Sequence, residues 1–320
     1  MRTVTTVAEL RTACDEARRA GLTVGLVPTM GFFHAGHRSL MRAARDACDF
    51  VVVTLFVNPT QFAPHEDLGA YPRDPEGDAA VARAERVDLL FTPAVEEMYP
   101  VPGRTTVHVD GLTARLCGAS RPTHFDGVTT VVAKLFSITG PCRAYFGRKD
   151  AQQLAVVSRM VADLNLAVTV IGCPLVRDPD GVAMSSRNAH LAIDEREAAR
   201  ALSRALRSVA AEIVAGERDP AAVRAVVLDA IASEPLLTLD YAEVVDGTSL
   251  EPVTRLSGTV LVAIAVKVGA TRLIDNARFT FAGADRGADI GGDQRFDGGS
   301  DVFVDLGFTC SRADARPGDS

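Results

Sequence analysis

The stretch TVGLVPTMGFFHAGH, from Thr23 to His37, decides the fold class of this chain. It opens as an apolar run and breaks at Met30-Gly31; after it Leu40, Ala43, Ala44, Ala47 and Cys48 recur on one helical face. A short apolar strand passing through a Gly turn into an amphipathic helix is half of a βαβ unit. The next run, FVVVTLFV (Phe50 to Val57), is almost continuously β-branched and aromatic, as in a strand buried on both faces of a parallel sheet. Shorter strands follow at Val87–Phe91, Arg143–Phe146 and Ala167–Ile171, with helical patterns over Val128–Ile138 and Ala151–Leu164. Strands alternating with helices imply right-handed crossovers and an α/β, doubly wound parallel sheet over residues 1–175.

The composition changes near Cys173 to Asn188. Two helices are expected beyond it, Asp194–Ala215 and Pro220–Ser233, then strands at Leu239–Val245 and Thr259–Val268. This pattern reads as a smaller C-terminal α+β domain over 176–281. From Ala282 the chain is rich in Gly, Asp and Arg, so 282–320 is expected to be a disordered tail with no part in catalysis. Its apolar interruption VFVDLGF (Val302 to Phe308) is the one piece able to dock. No internal repeat is present.

Bulk properties narrow the function. The 320 residues are 47% hydrophobic and 23% charged, as in globular proteins. A net charge of −7 argues against nucleic-acid partners and against anionic membrane surfaces. Six scattered cysteines, without a CxxC pair, argue against a zinc site and a disulfide framework and for a reducing compartment. The N-terminus reads as a strand and a charged helix rather than a signal peptide, and no apolar run reaches the roughly 20 residues of a membrane span. A cytoplasmic location is expected.

Four segments carry chemistry. His34 and His37 flank Gly36 where a strand gives way to a helix, the place where open α/β sheets bind ligands. Free N–H groups and the dipole favour an anion there, and two imidazoles could donate to phosphate oxygens. One lone His would more simply satisfy a turn; the pair favours function. A metal site would need a third ligand, and none lies nearby. Asn58 and Gln61, in FVNPTQF, put two amides at a strand end, although Asn-Pro is also an ordinary turn signal. In YFGRKDAQQ, Lys149 could neutralise a phosphate, Asp150 could accept from ribose hydroxyls or simply cap a helix, and Gln153 shares their face. In GVAMSSRN, Ser185, Ser186 and Arg187 form a phosphate clamp on a loop able to close over an intermediate, or else a plain interdomain loop.

Together these segments, in order PTMGxxHxGH, FVNPxQF, GxKDxQQ and MSSRN, resemble the pantothenate synthetase family of HIGH-type nucleotidylyl transferases. YPRDP (Tyr71 to Pro75), ASRPTHFDGV (Ala119 to Val128) and RLIDN (Arg272 to Asn276) extend the resemblance across about residues 3 to 281. It implies a Rossmann-like fold with a lid and dimer-associated C-terminal domain. It also implies a two-step ligation in which pantoate attacks the α-phosphate of ATP and β-alanine then displaces AMP. His34, His37, Lys149 and Arg187 would be catalytic. Met30, Gly147, Asp150, Val176, Met184, Ser185 and Ser186 would join His37, Lys149 and Arg187 around ATP, while Met30, Asn58, Gln61 and Gln153 would hold pantoate. Mg²⁺ would travel with ATP, without a metal site of the protein's own. The family is usually a homodimer.

Several positions depart from the family. Ala35 stands where members commonly carry an acid, Cys117 and Arg148 where they commonly carry Glu, Phe32-Phe33 where they have a smaller residue and Leu, and Thr60 where they have Met. At least one of the two Phe rings is expected to border the pocket. The departures leave open a ligase of the same fold using another acid or amine, a nucleotidyltransferase that stops at the adenylate, and an idle nucleotide-binding paralogue.

Overall fold

The computed structural model describes residues 1–64, 66, 68–101, 103–283, 294–295 and 302–310. The first domain is built on six strands: β1 (Arg2–Val4), β2 (Val24–Thr29), β3 (Phe50–Leu55), β4 (Leu89–Phe91), β5 (Cys142–Gly147) and β6 (Val168–Cys173). They form one parallel sheet in the order β1-β4-β3-β2-β5-β6. From β2 the chain winds outward to β3 and β4, then returns to place β5 and β6 on the other side. The winding therefore reverses at β2 and β5, so the crevice lies beyond their carboxyl ends, where Met30 and Lys149 follow.

Helices α1 (Val7–Arg19), α2 (Ala35–Ala47), α3 (Pro75–Ala84), the single turns α4 (Val95–Met98) and α5 (Cys117–Ser120), α6 (His124–Thr139) and α7 (Ala151–Asp163) accompany the sheet. Local chemistry fixes their starts. Thr6 and Glu9 form a capping box on α1. Asp74 accepts from Gly77 N–H at 3.0 Å, with Pro75 in the first turn of α3. Apolar residues fill both faces of the sheet. Leu26, Val52, Leu89 and Ala144 face α1, α6 and α7, while Val27, Val51, Val53 and Tyr145 face α2 and α3. The unbroken run in β3 is buried on both sides, as its composition requires.

A two-residue strand, β7 (Val176–Arg177), leads to the second domain. There α8 (Ile193–Val214) and α9 (Pro220–Ala232) cover a sheet of β8 (Leu237–Asp246), β9 (Thr259–Val268) and β10 (Thr271–Phe281). This sheet is antiparallel, and β11 (Gln294–Arg295) and β12 (Val302–Asp305) extend it in the order β11-β12-β10-β9-β8. Almost all of β9 is buried. Val260, Val262 and Ile264 pack on the two helices. Leu261 and Ala263, on the opposite pleat, meet Leu116 and the Ala151 and Ala155 face of α7. That second contact joins the domains.

The expectation of a disordered tail over 282–320 is overturned for its apolar interruption. Val302–Asp305 pairs with β10, its Val302 and Val304 enter the second core, and β13 (Phe308–Thr309) pairs in parallel with β7. A short apolar strand beside an open sheet edge buries surface and backbone groups together, which outweighs the polar composition around it. Residues 284–293, 296–301 and 311–320 lie outside the described residues. No helix among the described residues is long and apolar enough to cross a membrane.

Candidate active site

The approach to the paired histidines is a constrained turn. Gly31 has φ +91° and a Cβ there would stand 2.9 Å from Asp78 Oδ2 and 3.2 Å from Leu55 Cγ, so only glycine fits. Phe32 follows at φ +53°. The Phe32 and Phe33 N–H groups each donate to the Asp78 carboxylate at 2.7 Å. Asp78 comes from the first turn of α3 and is 1% exposed. No signal near His34 announces it; the pointer is an acid in a capped, Pro-started helix far along the chain.

His34 is the N-cap of α2. Its Nδ1 accepts from Gly36 N–H at 3.1 Å, and its own N–H donates to His37 Nδ1 at 3.3 Å. With both Nδ1 lone pairs engaged, each neutral ring carries its proton on Nε2. The rings lie 4.1 Å apart, centroid to centroid. Two N–H donors thus stand together at a helix N-terminus. Phe33 is 1% exposed, packs in the core against α2 and touches the His37 ring at 5.5 Å. Phe33 therefore belongs to the core and not to the pocket it was expected to border, while the half-buried Phe32 reaches the site through its carbonyl, which accepts from Ser186 Oγ at 3.4 Å. The Asp78 clamp fixes the turn so that the Phe33 ring packs beneath the sheet.

All of the site residues expected from the sequence converge. Met30, His34, His37, Asn58, Gln61, Gly147, Lys149, Asp150, Gln153, Val176, Met184, Ser185, Ser186 and Arg187 line one cavity of about 250 Å³ at the ends of β2 and β5. Lys149, Asp150, Gln153, Ser185 and Arg187 also line an interdomain cleft of about 840 Å³. Lys149 Nζ lies 3.8 Å from Asp150 Oδ2. Ser185 caps the turn Ser186–His190 by accepting from Arg187 N–H, and the Arg187 guanidinium stands 5.7 Å from the Tyr71 ring centroid.

The amide end differs from the expectation in one respect. Asn58 is 1% exposed and its amide is engaged within the protein. It donates to Gln61 Oε1 at 3.2 Å and Gly127 O at 3.0 Å, and accepts from Tyr99 O–H at 2.9 Å and Thr60 O–H at 2.9 Å. It therefore positions Gln61, whose Nε2 donates to the weak acceptor Met30 Sδ at 3.0 Å. A stronger acceptor can displace the thioether. The lining therefore combines imidazole, ammonium and guanidinium donors with an oriented amide.

Two lining residues had no assigned role. His124 Nδ1 contacts Gln61 O at 2.9 Å, and burial, then the charge of Arg121, push its pKa down to about 4. It is neutral near pH 7 and presents Nε2 as an acceptor. Arg121 grips Glu66 at 2.5 and 2.7 Å. Burial would raise the Glu66 pKa, but this guanidinium contact leaves it lowered overall.

The RLIDN stretch lies in β10 and braces the site from behind. Asn276 Nδ2 donates to the carbonyls of Arg148 and Lys149 at 3.0 and 2.9 Å. Asp275 grips Arg177 at 2.7 and 3.0 Å, with both side chains almost fully buried. Arg272 pairs with Asp240 at 2.7 Å and touches Cys117 Sγ at 3.4 Å, so a carboxylate from β8 answers the cation beside Cys117. Among the described residues no three His, Cys, Asp or Glu side chains are grouped to hold a metal ion.

The chain is similar to known proteins over most of its length. The family model described as pantoate-beta-alanine ligase matches residues 2–278. A pantothenate synthetase of Heliobacterium modesticaldum is 53% identical over 276 residues, covering 86% of this chain and 98% of that protein. One from Roseiflexus sp. is 54% identical over 278 residues, with 86% and 98% covered. The crystal structure of pantothenate synthetase from Thermus thermophilus superposes with a TM-score of 0.82 at 46% identity, covering 86% of this chain and 98% of that one. The ligase from Francisella tularensis, complexed with beta-gamma ATP and beta-alanine, has a TM-score of 0.69 at 30% identity, covering 86% and 97%. With its strand order, its paired histidines and this breadth of similarity, the chain belongs to the pantoate-beta-alanine ligase family.

Proposed function

We propose that this chain condenses pantoate with β-alanine, using MgATP as co-substrate, through a pantoyl adenylate. One observation carries the reading: four sequence-distant segments of the family pattern meet in a single cavity. A pantoate carboxylate oxygen attacks the α-phosphorus and the bond to the bridging oxygen breaks, releasing pyrophosphate. The β-alanine ammonium first gives one proton to solvent, its nitrogen attacks the acyl carbon, AMP leaves with the acyl–oxygen bond broken, and the nitrogen sheds a second proton to give the amide.

The residues divide along the cavity. Nε2–H of His34 and His37, the Lys149 ammonium and the Arg187 guanidinium meet the phosphates, with Ser185 and Ser186 on the closing loop. These preorganised donors stabilise charge building on the leaving group and need no covalent nucleophile. Gly147, Val176 and Met184 shape the nucleotide side, and Asp150 is placed for ribose hydroxyls. Gln61, held by Asn58, and Gln153 present amides to the hydroxy acid beside Met30. Since Lys149 and Gln153 also border the interdomain cleft, the amine has a route to the adenylate. Mg²⁺ would enter with the triphosphate as part of the co-substrate. A cytoplasmic homodimer goes with this reading, from the cysteine usage and the family resemblance.

The test is pantoate-dependent exchange of labelled pyrophosphate into ATP without β-alanine, followed by pantothenate formation when β-alanine is added. Exchange that needs the amine would remove the stepwise adenylate. Another acid–amine pair preferred more than about a hundredfold, near the upper end of what one pocket methylene contributes, would overturn the named substrates.

A further inference from the structure

We propose that the strap Val302–Cys310 is part of the catalytic architecture, with Asp305 a positioning residue that fixes Arg148 and, through it, the turn bearing Lys149. The family match ends at residue 278, so the strap lies beyond the shared sequence. Antiparallel to β10, it runs from Val302 opposite Phe281 to Asp305 opposite Arg278. Then it leaves the second domain for the first. Gly307, at φ +75°, makes the crossing, and a Cβ there would stand 2.3 Å from Leu175 O, so no other residue fits without a shift. Phe308 N–H donates to Leu175 O and Cys310 N–H to Arg177 O, both at 2.9 Å. Arg177 Nε donates back to Leu306 O at 2.6 Å. Cys310 then packs with Ala35, Val176 and Met184. Ala35 lies between the two catalytic-site histidines, and Met184 adjoins the phosphate loop.

The charge pairing is the sharper observation. Arg148 directly precedes Lys149 and is 7% exposed. A guanidinium cannot shed its charge, so at this depth it needs an anion. Asp305 Oδ2 lies 2.5 Å from Arg148 Nη1, with side chains 9% and 4% exposed, while Asp305 Oδ1 accepts from Gly307 N–H at 2.9 Å. One carboxylate therefore ties the crossing glycine to the residue beside Lys149, whose carbonyl Asn276 holds from the same side.

The inference rests on Lys149 acting on the phosphates. Its test uses the full-length chain in pantoate-dependent ATP–pyrophosphate exchange, with thermal midpoints measured alongside. Asp305→Asn keeps the shape and removes the charge. We expect its kcat to fall about 10- to 100-fold, the scale of a sub-ångström misplacement of a catalytic group, with KM for pantoate within about twofold. In an Arg148→Met background, the same change should lower kcat no further. The double variant R148M/D305N buries no charge at this site. Its kcat against wild type, expected to be lower by the same factor of about 10 to 100, still decides if either single variant fails to fold, and an unchanged kcat there also overturns the proposal. Unchanged kcat in Asp305→Asn, or an equal loss in both backgrounds, overturns the proposal. Should Lys149→Ala itself keep wild-type exchange, the underlying assignment of Lys149 fails instead, so the two failures are distinguishable.

Discussion

Asp78→Ala attacks the site from a distance and separates two accounts of the histidine turn. The carboxylate is 1% exposed and receives two backbone N–H groups, from Phe32 and Phe33, each at 2.7 Å. Hydrogen bonds to an ionised group contribute about 1.5–3 kcal/mol each, and a buried N–H left without an acceptor forfeits that range. Two of them give a destabilisation of roughly 3–5 kcal/mol after partial relaxation, because alanine also leaves space for water. The turn would relax as well, since Gly31 at φ +91° and Phe32 at φ +53° adopt conformations that the clamp stabilises. His34 then loses its fixed direction, and misplacement by about 1 Å lowers turnover about a hundredfold. The assay pairs thermal unfolding with pantoate-dependent pyrophosphate exchange, measured well below the midpoint. A folded Asp78→Ala protein with wild-type midpoint and exchange would refute the idea that this carboxylate holds the turn. Asp78→Asn should fall between, because one carboxamide oxygen still accepts while the NH₂ faces a donor.

Lys149→Ala should lower exchange by about two to three orders of magnitude with little change in midpoint, the scale of one preorganised contact to developing charge; near-wild-type exchange would remove its role. His34→Ala and His37→Ala should each weaken exchange by roughly 10²-fold, and the double variant by much less than the product, because His34 N–H orients His37 and both serve one leaving group. A fully multiplicative double variant would show that they act separately. His124 gives a pH signature. Its pKa falls from 6.5 to about 4 on folding, through burial and then the Arg121 charge. Between those values the unfolded chain binds the extra proton, so this stabilisation is complete above about pH 6.5 and is lost as pH falls towards 4. The contribution is about 3 kcal/mol. His124→Gln should flatten that part of the stability profile, and an unchanged slope would mean that other groups carry it.

The βα string of the first domain is legible in the sequence because strand runs and helical faces are local patterns. The apolar run before Gly31 and the β-branched run from Phe50 name buried parallel strands wherever they lie. The motifs tell which residues to watch, and the cavity gathers them all. Long-range partners are not legible. Asp78 reaches the histidine turn across 46 residues, Asn276 reaches the Lys149 carbonyl across 127, and Asp305 reaches Arg148 across 157. Nothing in local periodicity or turn chemistry marks an acid as the future clamp of a distant loop. The same limit explains Asn58, whose place beside a strand end suggests a ligand contact. Its neighbours Gln61, Tyr99 and Gly127 saturate its amide, which makes it a support. Phe33 precedes His34 and so suggests a pocket residue, but the direction of a side chain after a constrained turn depends on the backbone the clamp imposes. The tail misleads through its average. Gly, Asp and Arg dominate its composition, yet four residues beside an open strand edge suffice to dock it. Sequence alone determined the layers and singled out the residues that meet in the cavity, since both are written in neighbouring residues. Only the tertiary structure decided which groups are held, which are free to meet a substrate, and what holds them, because those answers depend on burial and on partners that the chain brings together only when folded.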